Sequence, residues 1–212
     1  RASNEAAFLY QLFVRAVGTN NFPDCSNMCH EATSVGLPHS IGVGKGTVLL
    51  EDFDKADAIL IFGQNPGTNS PRMMTELRNA ARRGATIMSF NPFRERALER
   101  FQAPQNPVEM ATLTSTPISS HIFQVKVGGD VAVLKGMMKH LLAADRAAQA
   151  AGAAPVLDWD FIHGHSTGIE ALIADLDATS WDAITAKSGL SRADIESAGA
   201  AYAKAERAIL VY

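Results

Sequence analysis

The chain has 212 residues, of which 47% are hydrophobic and 19% charged, and its formal net charge is −3. This length predicts one globular domain with a sizeable core. The basic side chains are scattered, so nucleic acid and anionic membrane surfaces are poor candidates as partners. Apolar runs such as 58–62 are far shorter than the roughly 20 residues of a membrane helix, so no membrane segment is predicted. The start of the chain lacks Met and a signal-type apolar core, which predicts an internal segment of a cytoplasmic protein.

Short apolar runs alternate with helical patterns in the first half of the chain. Apolar residues at helical spacing predict an amphipathic helix over 4–17, with Ser3 as its N-cap. Two continuous apolar runs, 56–63 and 85–92, predict strands buried on both faces of a parallel sheet. Because a helix is predicted between them over 70–83, they form a strand–helix–strand unit, for which a right-handed crossover is expected.

The second half continues this alternation. The predicted elements are a strand over 121–127, helices over 130–150, 168–177 and 191–205, and a strand over 208–212. Two segments lack such a pattern: 103–120, rich in Pro, Thr and Ser, and the Ala-rich 143–155, interpreted as a frayed helix end. The chain therefore predicts an α/β fold, a three-layer αβα Rossmann-like domain over 1–212 with a mainly parallel sheet and an irregular insertion near 103–120.

Three loops that follow predicted strands are candidates for ligand binding, because open parallel sheets bind ligands at the carboxyl ends of their strands. The loop 62–70 opens onto a helix and offers free amides that suit phosphate, although it is equally consistent with an ordinary turn. In 89–95, Asn91 could meet a ribose hydroxyl, and 127–130 ends the third strand. Three such loops at one edge favour a nucleotide-like ligand.

The segment 39–47, HSIGVGKGT, imitates a phosphate-binding P-loop but does not satisfy the motif. His39 stands at the first required Gly, Gly46 replaces the Ser or Thr after Lys45, and no strand precedes it. A Gly-x-Gly-x-x-Gly dinucleotide fingerprint is also missing. We therefore predict a flexible loop here.

Both cysteines lie close together, and His30 follows Cys29 directly. A structural zinc site lacks an obvious fourth ligand, and a Cys25–Cys29 disulfide would be unusual in a cytosolic α/β domain. A buried, inert Cys is the commonest alternative. The remaining interpretations require a reactive thiolate, either as a nucleophile paired with a His or as a soft metal ligand.

Five ordered motifs together resemble the molybdopterin-dependent oxidoreductases of the dimethyl sulfoxide reductase superfamily, with a particular likeness to formate dehydrogenase-type catalytic subunits. The motifs are SNEAAFLYQLFVRAVGTNN at 3–21, DCSNMCHEATSVGL at 24–37, ADAILIFGQNPGTNSP at 56–71, RRGATIMSFNPFRE at 82–95 and KVGGDVAVLKGMM at 126–138. The resemblance implies a cofactor in which molybdenum is held by the dithiolenes of two pterins, each extended by a guanine dinucleotide. It implies that Cys29 is the catalytic metal ligand and His30 a neighbouring proton-transfer group, while Cys25 is structural.

The resemblance also implies contacts between the three loops and the cofactor. The implied cofactor-binding residues are Gly63, Gln64, Asn65, Thr68, Asn69, Asn91, Pro92, Gly129 and Asp130. Gly63, Asn65, Thr68 and Asn69 would approach the pyrophosphate region, Asn91 a nucleoside hydroxyl, and Asp130 the guanine or nearby polar groups. The chain would be one domain of a larger subunit, with a small-molecule substrate, the remaining domains and an electron-transfer partner around it. An iron–sulfur cluster would belong to a preceding part.

One departure leaves the substrate open, because close formate dehydrogenases often carry an acidic residue where Asn91 stands. Two rival functions use the same residues. A cysteine-dependent hydrolase would use Cys29 as nucleophile, with a His other than its neighbour as the base, since adjacent residues on a helix point about 100° apart. A non-catalytic nucleotide-binding module would keep the loops and leave Cys29 silent.

Overall fold

The computed structural model of the chain describes residues 3–22 and 31–212. The chain divides into two compact units, one ending at Val48 and the other beginning at Leu49. None of the described helices combines the length and apolar character needed to cross a membrane.

The first unit contributes two described helices. Helix α1, Asn4–Ala16, confirms the predicted amphipathic helix, and the Ser3 hydroxyl accepts a hydrogen bond from the amide of Ala6 as its N-cap. Helix α2 spans Glu31–Ile41. The prediction of a flexible loop over 39–47 is therefore wrong for its first three residues, which are helical, whereas 42–47 contain no regular structure.

The second unit is built on a four-stranded parallel sheet. Its strands are β1 (Ala58–Phe62), β2 (Thr86–Phe90), β5 (His121–Phe123) and β6 (Ala208–Val211). Their order is β5-β2-β1-β6, so β1 lies between β2 and β6. The predicted strands are confirmed, although each is shorter than its apolar run and the third ends four residues early.

Helices cover both faces of this sheet. They are α3 (Pro66–Asn69), α4 (Met73–Arg83), α5 (Arg96–Glu99), α6 (Pro107–Thr112), α7 (Asp130–Ala150), α8 (Trp159–His165), α9 (Ile169–Ala178), α10 (Trp181–Ser188) and α11 (Arg192–Ala203). A 3₁₀ helix, Leu50–Asp54, precedes β1. The predicted helices over 70–83, 130–150, 168–177 and 191–205 correspond to α4, α7, α9 and α11.

The apolar core consists of two layers, because alternate residues of a strand point to opposite faces. Leu60 and Phe62 of β1 pack with residues of α7, α10 and α11. Ile59 and Ile61 pack on the other side with residues of α4 and the 3₁₀ helix. All five residues of β1 are buried, as expected for a central strand of a parallel sheet. The predicted three-layer αβα architecture is confirmed.

The segment 103–120, predicted to be irregular, contains regular structure. It includes α6, and strand β4 (Thr116–Pro117) pairs with β3 (Arg100–Phe101) in an antiparallel ladder. The buried carboxylate of Glu109 anchors it by accepting hydrogen bonds from the Ala103 amide and from Arg78 and Arg82 of α4. The hydrogen bond from the Ala103 amide and that from Arg78 lower the pKa of Glu109.

The Ala-rich segment 143–155, predicted to be frayed, is also anchored. Helix α7 continues to Ala150, and the fully buried Asp145 accepts hydrogen bonds from the amides of Val156 and Leu157 and from the Trp159 indole. Burial raises the pKa of Asp145, but these hydrogen bonds outweigh it and leave the pKa lowered. The carboxylate therefore fixes the turn that leads into α8.

Candidate nucleotide-binding edge of the sheet

The carboxyl ends of β1 and β6 border a cavity of about 470 Å³. Its lining comprises Phe62, Gly63, Asp130, Leu134, Leu210 and Tyr212. The chain passes from β1 to β2 and β5 on one side of the sheet and returns to β6 on the other, so the cavity lies where the strand order reverses. In open α/β sheets this switch point is where ligands bind.

The first loop leaves β1 at Gly63. Gly63 has φ +63°, a backbone conformation that residues with a Cβ rarely adopt. No atom lies within 4 Å of the position where a Cβ would stand. Its amide donates to the carbonyl of Phe90 across 2.9 Å, which fixes the start of the loop to the end of β2. Asn65 then caps α3 by accepting the Thr68 amide at Oδ1.

The second loop leaves β2 at Asn91, which is only 5% exposed. Its Nδ2 donates to the carbonyl of Gln64 across 3.0 Å, and its Oδ1 accepts the amide of Phe93 across 3.2 Å. Its backbone amide donates to the carbonyl of Phe123. Asn91 therefore joins its own loop to Gln64 of the first loop and to the end of β5, and Pro92 lies half-buried beside it.

The third loop places Gly129 and Asp130 at the start of α7. Gly129 is buried, and an added Cβ would lie 2.8 Å from the carbonyl oxygen of Lys126 and 3.0 Å from the Cα of Ser188. Only Gly fits there without displacing backbone. Asp130, in the first turn of a 21-residue helix, is half-buried and lines the same cavity as Gly63.

A second cavity of about 310 Å³ lies beside the first loop. It is lined by Asn65, Gly67, Thr68, Glu95, Arg96, Ala97, Arg100, Phe101 and Gln102. The structure thus brings Gly63 and Asp130 together in one cavity and Asn65 and Thr68 in another, while Asn69 is exposed and lines neither. The predicted residues share one edge of the sheet, but they do not share one cavity.

One residue of this edge was missed by the sequence reasoning. Glu95 accepts a hydrogen bond from Asn65 Nδ2 across 2.7 Å, although 30 positions separate the two residues. No local pattern pairs them. The predicted metal ligand Cys29, its neighbour His30, and Cys25 lie outside the described residues. Among the residues that are described, no group of three or more His, Cys, Asp or Glu is arranged to hold a metal ion.

A family model described as molybdopterin oxidoreductase matches residues 2–143. The chain belongs to this family. It is 57% identical over 212 residues to protein YdeP of Escherichia coli (strain K12), covering all of this chain and 28% of that protein. It is 25% identical over 210 residues to formate dehydrogenase H of the same organism, covering 99% of this chain and 26% of the relative.

A further curated relative and a solved structure are also similar to the chain. An uncharacterized oxidoreductase of Mycobacterium tuberculosis (strain ATCC 25618 / H37Rv) is 39% identical over 212 residues, and the match covers all of this chain and 27% of that protein. Acetylene hydratase from Pelobacter acetylenicus shares the fold, with a TM-score of 0.65 at 18% identity over 97% of this chain and 24% of that one. The chain thus spans about a quarter of the length of these proteins.

Family membership implies a molybdenum–pterin cofactor, and the switch-point cavity offers a bound group both apolar walls and one carboxylate. Leu134 and Leu210 supply apolar walls, and Tyr212 supplies an aromatic one. Asp130 offers a carboxylate, which accepts hydrogen bonds from N–H donors. Gly63 leaves the entrance open, where any other residue would place a Cβ.

Proposed function

We propose that this chain is one domain of the catalytic subunit of a cytoplasmic molybdenum-dependent oxidoreductase that performs two-electron chemistry on a small substrate, as formate dehydrogenases do. The observation that carries the proposal is the cavity at the switch point, where Gly63 and Asp130 meet between β1 and β6. Membership of the molybdopterin oxidoreductase family supports it. The cofactor would be the bis(molybdopterin guanine dinucleotide) form.

The described loops would hold the nucleotide half of this cofactor. Gly63 and Gln64 would present backbone to the pyrophosphate, with the exposed Thr68 and Asn69 beside them. Asp130 would accept hydrogen bonds from guanine, and Gly129 would set its backbone position. The second loop, with Asn91 and Pro92, would form a wall of the same edge.

The metal half of the cofactor would depend on Cys29. A thiolate is a soft ligand that suits a redox-active metal, and the bound group would supply the two-electron redox chemistry. His30 would move a proton near the substrate. The rest of the subunit would complete the enclosure of the site and, with an iron–sulfur cluster in a preceding part, would pass electrons to a partner protein.

The Asp130 carboxylate provides a direct test in the full-length protein. Asp130→Ala should lower the guanosine monophosphate that acid hydrolysis releases per polypeptide, because the base loses its acceptor. Asp160→Ala is a matched control, since Asp160 also lies in the first turn of a helix but lines neither cavity of the site. Undiminished nucleotide in the Asp130 variant would contradict the assignment of the cavity.

A further inference from the structure

Asn91 directs both of its polar side-chain atoms at the protein. Its Nδ2 donates to the Gln64 carbonyl, and its Oδ1 accepts a hydrogen bond from the Phe93 amide. Only 5% of the residue is exposed to solvent. A carboxylate in its place could not donate to Gln64 and would face a carbonyl oxygen. The geometry therefore requires an amide here, for a reason that concerns the neighbouring loop.

Asn65 makes a second connection in the opposite direction. Its Nδ2 donates to Oε2 of Glu95 across 2.7 Å, while its Oδ1 accepts the Thr68 amide. Asn65 is the N-cap of α3 and Glu95 the N-cap of α5, so the bond joins the starts of two helices. The Asn91 amide in the second loop thus bonds to Gln64 in the first loop, and the Asn65 amide in the first loop bonds to Glu95 in the second.

Close packing reinforces these two hydrogen bonds. A Cβ added at Gly67 of α3 would lie 2.3 Å from the Cβ of Ala97 in α5, so the contact between the two helices leaves no room for a side chain at Gly67. The spacing of the loops is therefore fixed before any ligand binds. Fixing a site in advance reduces the ordering cost of binding.

We propose that Asn65, Asn91 and Glu95 form a reciprocal brace that positions the first and second loops for the guanine dinucleotide. In this role, which rests on the proposed function, Asn65 and Asn91 act through loop geometry and do not contact the nucleotide with their amides. Glu95 becomes a positioning residue for the site.

An exchange of donor and acceptor tests the brace in the full-length protein. Asn65→Asp keeps the oxygen that caps α3 but sets two carboxylates against each other, so the guanosine monophosphate released per polypeptide should fall about fivefold, the effect of losing one hydrogen bond. Adding Glu95→Gln restores a donor opposite the new acceptor and should recover the nucleotide content. Glu95→Gln alone keeps an acceptor for Asn65 and should remain near wild type.

A direct contact between Asn65 and the nucleotide predicts a different result for the double variant. The double variant would then stay as low as Asn65→Asp, because an anionic side chain would still face the ligand, and that result would overturn the brace. Asn91→Asp should also lower nucleotide content by about fivefold, since it loses the donor to Gln64. Retention of full content in that variant would likewise count against the proposal.

Hydrogen–deuterium exchange of the cofactor-free, full-length protein separates the brace from the proposed function. The peptide containing Thr68 should exchange faster in Asn65→Asp and return to the wild-type rate in the double variant. If wild-type protein releases no guanine nucleotide, the proposed function fails, and this exchange pattern still decides whether the brace exists. Equal exchange in all variants would show that it does not.

Discussion

The ring of Phe62 stacks on the ring of Phe90, with centroids 4.5 Å apart and planes only 6° from parallel. Phe90 in turn stacks on Phe123, with centroids 4.9 Å apart. These three residues are the last of β1, β2 and β5, so the stack lies at the carboxyl ends of those strands. This apolar stack holds the carboxyl ends of the three strands at a fixed spacing, and it thereby positions the loops that follow them.

Phe90→Ala should destabilise the chain by about 3–5 kcal/mol, because it removes a fully buried ring and leaves a cavity in the middle of this stack. Urea denaturation followed by circular dichroism measures the free energy of unfolding. Phe93→Ala is the matched control, since Phe93 is 72% exposed and its loss should have little effect. Equal effects of the two substitutions would contradict the described core.

The sheet was predictable from the sequence because its strands are continuous apolar runs buried on both faces. The helix over 130–150 was predicted with the same first and last residues as in the structure. The spacing of its apolar residues and the residues that flank it are signals contained in the segment itself. Helix α6 was missed, because Glu109 is held by Arg78 and Arg82, which lie 31 and 27 positions away. A determinant so distant in sequence leaves no local pattern.

Gly136 tests the packing of α7 against α10 and α11. An added Cβ would lie 2.6 Å from Cγ2 of Ile195 and 3.0 Å from Cγ2 of Ile184, so Gly136→Ala should destabilise the chain by about 1–3 kcal/mol through overpacking. Gly164→Ala in α8 meets no atom within 4 Å and should be neutral or slightly stabilising, because Ala favours helix. Thermal unfolding of both variants provides the comparison, and a stabilised Gly136→Ala would contradict this packing.

The carboxylate of Glu109 should make stability depend on pH. Its pKa in the folded chain lies below the ordinary value of 4.5, so the unfolded chain binds the proton more readily. The stabilisation is therefore fully present above the ordinary pKa and is lost as the pH falls through the lowered one. The free energy of unfolding should decline as the pH is reduced below about 5.

Glu109→Gln should weaken this decline, and urea denaturation over a series of acidic pH values measures it. Other carboxylates with lowered pKa values, such as Asp57 and Asp145, would keep part of the dependence. Glu196→Gln serves as the control because Glu196 forms a solvent-accessible ion pair with Arg192. An unchanged pH dependence in Glu109→Gln would argue against the proposed anchoring role.

The candidate site was predictable to the level of its loops but not of its contacts. The rule that ligands bind at the carboxyl ends of parallel strands was enough to select the loops 62–70, 89–95 and 127–130, and the family resemblance added Gly63 and Asp130. The strand order was not available from the sequence, and it is this order that places Gly63 and Asp130 beside β6. The hydrogen bond between Asn65 and Glu95 was hidden for a similar reason, since it depends on the spacing of two loops.

Cys29→Ser in the full-length protein tests the proposed metal ligand. A hard hydroxyl would replace a soft thiolate, so formate-dependent reduction of a viologen dye should fall strongly and molybdenum X-ray absorption should lose one sulfur neighbour. Cys25→Ser should be much milder, because that residue is assigned to packing. An unchanged sulfur shell in the Cys29 variant would remove this residue from the metal site whatever the substrate.

The most direct measurement is elemental and nucleotide analysis of the full-length protein. The protein is produced in a host that makes molybdopterin and is purified without metal-binding tags. Inductively coupled plasma mass spectrometry gives molybdenum per polypeptide, and chromatography of an acid hydrolysate gives pterin and guanosine monophosphate. We expect all three to co-purify with the protein in fixed proportion. Protein that is folded and free of molybdenum and pterin under these conditions would contradict the proposed cofactor.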